Sequence, residues 1–144
     1  RELAAGIVSP WADPSRLKLV DSQPKAAIGK LLANLALAIS AEGMKEALLF
    51  GDATGLTAAE TLDMLDATGL SFMANLKCDF VLGDRSTDPG DFTVDALCKD
   101  SKLMLDTAGQ VLPGIQAAVE SFTIQQDHGR GDHDFSAILV HRSE

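Results

Sequence analysis

From Lys25 to about Ala53 the apolar residues Ile28, Leu31, Leu32, Leu35 and Ile39 recur at the 3.6-residue spacing of a helix. Leu37, Met44, Leu48 and Leu49 carry apolar surface round to its other faces. A helix apolar on nearly every side is buried on nearly every side, which predicts a central helix, a subunit interface, or both. Gly55 reads as its C-cap. Thr57-Ala-Ala-Glu60 is a capping box, so a second helix is expected to about Thr68, with Gly69 ending it. A third should cover Ser71 to Leu82, and the Asp-, Gly- and Pro-rich residues 83–91 should form a loop. A fourth runs from about Phe92 to Ala108, with Leu97, Leu103, Met104 and Leu105 as its apolar set and Asp95 as a first-turn acid. Pro113 suits the first turn of a helix ending near Gln126. After a polar loop at 127–133, Asp134 reads as the cap of a last short helix, Phe135 to His141.

The first 23 residues are the least regular. Pro10, Asp13 and Pro14 interrupt any helix, and Arg16 to Val20 alternates as a half-buried strand does. A lone strand needs a partner, so this stretch reads as a lead-in at 1–23 to a helical domain at 24–144. The fold class expected is all-α, about six helices around one long central helix. No Gly-x-Gly-x-x-Gly follows a strand, and no Walker-type loop is present.

Composition narrows the partners. The length, 144 residues, is that of one domain. A net charge of −9, with Lys and Arg scattered along the chain, argues against nucleic acid and anionic lipid. No apolar run reaches about 18 residues without a charge or a Gly, so no membrane span is expected. Cys78 and Cys98 lie among apolar helix neighbours and read as buried free thiols. With no signal peptide, the expected compartment is a reducing cytoplasm. The chain opens on Arg1 rather than Met, so it is expected to be a piece of something longer.

Polar chemistry interrupts the apolar pattern at two places. Lys30 and Asn34 stand at i, i+4 and so share a helix face. An amine and an amide side by side can hold a hydroxyl or carbonyl oxygen and move a proton to or from it. Asn is a poor helix former, so Asn34 should contact a ligand or bond another helix. Lys99 and Asp100 form the second place, either a surface charge pair or part of a site, and Lys102 reads as solvent-facing. His128, Asp132, His133 and Asp134 match no familiar metal spacing and read as a solvated polar loop.

Four segments in order resemble the C-terminal helical domain of the β-hydroxyacid dehydrogenase family. This family includes 3-hydroxyisobutyrate dehydrogenase, tartronate semialdehyde reductase and, more distantly, 6-phosphogluconate dehydrogenase. The segments are Lys30-Leu-Leu-Ala-Asn34, Glu46-Ala-Leu, Phe92-Thr-Val-Asp-Ala-Leu-Cys-Lys99-Asp100, and Gly129-Arg-Gly-Asp-His-Asp134-Phe-Ser-Ala. The resemblance implies that Lys30 is the catalytic lysine and that Asn34 orients substrate. It implies that Lys99 and Asp100 line the substrate and cofactor cleft, with Phe92 near it. It also implies NAD or NADP as cofactor, a small hydroxyacid as substrate, a homodimer, and a Rossmann domain elsewhere in the intact protein. This chain has Pro24 and Ala26 where the family usually has glycines, Ala33-Asn34 for Asn-Asn, Ser101 for an apolar residue, and Arg130 where His is common. The function expected is therefore the substrate-binding, catalytic-lysine and dimerisation domain of an NAD(P)-dependent 3-hydroxyacid dehydrogenase, inactive as an isolated chain. The alternative is a stand-alone helical oligomerisation or partner-binding domain.

Overall fold

A computed structural model describes residues 2–11, 13, 15 and 17–144. The chain divides into two compact units, 1–32 and 33–144. In the first, α1 (Glu2–Val8) leads into a single 3-10 turn at Ser9–Trp11. An irregular lead-in was expected here, but Leu3, Ala4 and Ala5 are good helix formers and the first proline comes only at Pro10. Residues 17–20 of the expected strand are irregular, while Pro14 and Arg16 lie outside the described residues. The unit closes with the first turns of α2 (Gln23–Thr54), which runs on into the second unit.

The second unit holds the rest of α2 and five further helices: α3 (Ala58–Asp66), α4 (Ser71–Leu82), α5 (Val94–Ala108), α6 (Pro113–Asp127) and α7 (Ala137–Val140). The chain is all helical, as the periodicity predicts, and no strand occurs among the described residues. Thr57 and Glu60 form the expected capping box. Gly83 and Gly109 end α4 and α5 in the left-handed region (φ 84° and 62°), where any side chain would be strained.

Within this unit α2 is central. Ala38, Ala41, Met44 and Leu48 are fully buried. The same helix touches α3 where Gly51 meets Thr61, and α6 where Lys45 donates to Ser121 Oγ at 2.7 Å. Arg142, beyond α7, grips Asp52 with two nitrogens at 2.8 and 3.1 Å. Leu97 and Met104 of α5, Ile115 and Phe122 of α6, and Ile138 and Leu139 of α7 complete the core. Burial is one-sided, however. Ile39 and Phe50 are 41% and 71% exposed, so α2 is not sunk on every face as its pattern suggests. By length and composition alone α2 is long and apolar enough to cross a membrane, and 17% of its most apolar stretch is buried in the protein.

Candidate functional site

The start of α5 is set by a segment about forty residues further on. A helix leaves its first N–H groups without internal partners. Here Val94 N–H donates to His133 O and Asp95 N–H to Gly131 O, both at 2.9 Å, while Thr93 Oγ1 takes Ala96 N–H at 3.2 Å. Phe135 N–H returns a bond to Phe92 O at 2.9 Å, beside an isolated antiparallel bridge between Thr93 and Asp134. Gly90 permits the approach, because a Cβ there would lie 2.5 Å from Asp134 N and 2.6 Å from His133 C.

That start fixes how α5 presents its polar residues. Asp100 faces inward, 5% exposed, and Asn34 Nδ2 on α2 donates to its Oδ2 at 2.7 Å. Asn34 thus makes the interhelical bond that was one of its two expected roles, and two of the motif segments meet. Lys99, next in sequence, is exposed and lines an open cleft of about 420 Å³ with Asp95, Cys98, Lys102, Leu103 and Asp106. Lys102, expected to face solvent, is exposed and lines the same open cleft. Asp95, in the first turn as expected, accepts from Gln126 Nε2 at 2.6 Å. Phe92 is half-buried and meets Phe135 edge to face, with centroids 6.0 Å apart. Lys30 is exposed on the part of α2 belonging to the first unit, four residues before Asn34.

The polar loop at 127–133 and its neighbour differ most from expectation. Asp134 is neither a solvated loop residue nor the N-cap of α7, whose N-cap is Ser136. It is fully buried and paired with Lys77 of α4, Nζ to Oδ1 at 2.7 Å. Lys77 is itself 5% exposed, with its ammonium 4.0 Å from the centroid of the Phe135 ring and 4.8 Å from that of Phe80. Burial alone would raise the Asp134 carboxyl, but hydrogen bonds from Lys77 and Ser136 outweigh it and hold the group below the ordinary carboxylate range. His133 bonds Thr87 through its ring, at 2.9 Å, and His128 bonds the Ile124 carbonyl at 2.8 Å. The sequence signal for the pair was a lysine inside the apolar run Phe72 to Leu82, which reads equally well as a lysine reaching for water. Both thiols are free, with Cys98 buried and Cys78 half-buried, where burial pushes the Cys78 thiol up.

Residues 25–141 match the family profile described as NAD-binding of NADP-dependent 3-hydroxyisobutyrate dehydrogenase. Among solved structures, 3-hydroxyisobutyrate dehydrogenase of Mycobacterium tuberculosis, determined with L-serine, shares the fold with a TM-score of 0.66 and 22% identity. The alignment covers 81% of this chain and 43% of that one, so the chain spans less than half the length of that enzyme. No curated protein matches the chain significantly. The residues present fit part of a dinucleotide. Lys99 and Lys102 can meet a phosphate or carboxylate, but the sequence holds no glycine-rich turn to cradle a pyrophosphate.

Proposed function

Because this chain belongs to the NAD-binding family of NADP-dependent 3-hydroxyisobutyrate dehydrogenase, we propose that it is the substrate-binding, catalytic-lysine and dimerisation domain of an NAD(P)-dependent 3-hydroxyacid dehydrogenase. The observation that carries this reading is the bond from Asn34 to buried Asp100, which joins two of the motif segments across α2 and α5. With one N–H committed to a carboxylate, the Asn34 carboxamide is held in one orientation. Its oxygen can then accept from a substrate hydroxyl. Lys30, four residues earlier in the sequence, gives a proton to the alkoxide that develops as an aldehyde is reduced, or takes the hydroxyl proton in the reverse direction. Lys99 neutralises a carboxylate or phosphate at the cleft it lines, and the half-buried Phe92 offers an apolar ring to the cofactor. Bound NAD or NADP would supply or receive the hydride. Most of its binding belongs, in this proposal, to a Rossmann domain of the intact protein, and the isolated chain is inactive. The exposed apolar residues of α2 are assigned to a second copy of the chain.

The test is Lys30→Ala in the intact protein, assayed with NADH and NADPH against a panel of small 3-hydroxyacids and their semialdehydes. The expected result is a loss of turnover of about 10²–10⁴-fold with cofactor affinity little changed. Near-normal turnover in the variant would reject the assignment. No turnover by the unaltered protein on any panel member would favour the stand-alone helical reading.

A further inference from the structure

Lys77 and Asp134 form a buried ion pair that the proposed chemistry does not use. Burying two charges is costly, and an apolar pair of similar size holds a core as well or better. What an ion pair adds is direction, and here the direction leads to the site. The Lys77 ammonium sits over the face of Phe135, and the Phe135 ring meets Phe92 at an interplanar angle of 78°. The other oxygen of Asp134 accepts the Phe92 N–H at 3.4 Å, and the Asp134 N–H donates to Thr87 O at 2.8 Å. The pair therefore ties α4 to both segments that set the first turn of α5.

We propose that Lys77 and Asp134 are a positioning pair, which through Phe135 and the backbone of 92–95 sets the Phe92 ring and the start of α5. On the proposed function, that is the side of the domain that meets the nicotinamide cofactor. The role depends on charge and direction together. An apolar residue at position 77 fills the space without holding the Asp134 carboxylate, whereas arginine keeps both the charge and a donor toward it.

The experiment compares Lys77→Met and Lys77→Arg in the intact protein by two readouts. The first is amide hydrogen exchange. In Lys77→Met, exchange at Phe92, Val94, Asp95 and Phe135 is expected to quicken by about tenfold or more while α3 stays protected. The second is steady-state kinetics with NADPH and NADH. The KM for the cofactor is expected to rise about fivefold or more with a smaller change in kcat. Lys77→Arg is expected to restore most of both. Unchanged exchange at 92–95 overturns the proposal. So does quickened exchange with an unchanged cofactor KM, and so does an arginine variant as impaired as the methionine one. Should Lys77→Met fail to fold, Lys77→Met/Asp134→Asn removes both charges and keeps one acceptor oxygen, enough for the Ser136 amide or the Phe92 amide but not for both. It must show the same two effects, and an unfolded double variant would make the pair a stability element alone. If the unaltered protein binds neither NADPH nor NADH, the proposed function fails, and the exchange result still decides whether the pair sets this segment.

Discussion

His141 shows how much a single side chain depends on neighbours that are remote in sequence. Burial, together with the charges of Arg130, His133 and His128, holds its imidazole below the ordinary value of 6.5, although Glu144 lies 3.4 Å from its Nδ1. A group whose folded pKa is depressed adds stability that is present above the unfolded pKa and is lost as pH falls through the folded one. Urea midpoints of the wild type should therefore fall as pH drops below about 6.5, and His141→Asn should flatten part of that slope. An equal slope in the variant would remove His141 from the account. Residues whose meaning lies in local spacing were legible beforehand. Asn34 was marked by being a poor helix former among leucines, and Asp95 by standing in a first turn. Asp134 was misread because its position ahead of a short helix is also that of a cap. Its partner lies 57 residues earlier, a separation no local pattern encodes.

Among the elements, those with end signals were read best. The Thr57–Glu60 box starts α3 where the sequence places it, and Thr57→Ala should cost about 1 kcal/mol, read as a lowered melting temperature. No change in melting temperature would mean that the cap contributes nothing to the folded unit. The end of α3 falls at Asp66 rather than Thr68, since nothing in the sequence marks the last turn as clearly as the box marks the first. For α2 the period was right and the burial was not. An apolar stripe shows that a face is covered by something, but not whether the cover is the same chain. The first helix was missed because a proline downstream was allowed to outweigh a short run of good helix formers.

At the scale of the whole molecule, apolar surface left on α2 must be reconciled with a chain that carries −9 net charge. The proposed second copy makes this measurable. Sedimentation should show a dimer, and Leu32→Lys, at a position 60% exposed, should shift it toward monomer. A monomer before substitution would leave that surface to another partner. The fold class and four motif segments were legible, whereas the assembly of the site was not, because it depends on contacts between distant segments. Apart from bonds into α5 itself, residues 92–95 find their backbone partners in 131–135. During synthesis, then, α5 emerges from the ribosome with its first turn unmoored, and it stays so while all of α6 is being added. Lys99 and Asp100 exist as chemistry before they exist as a site, and a nascent chain halted before Gly131 would carry both on a helix whose first turn still lacks its backbone partners.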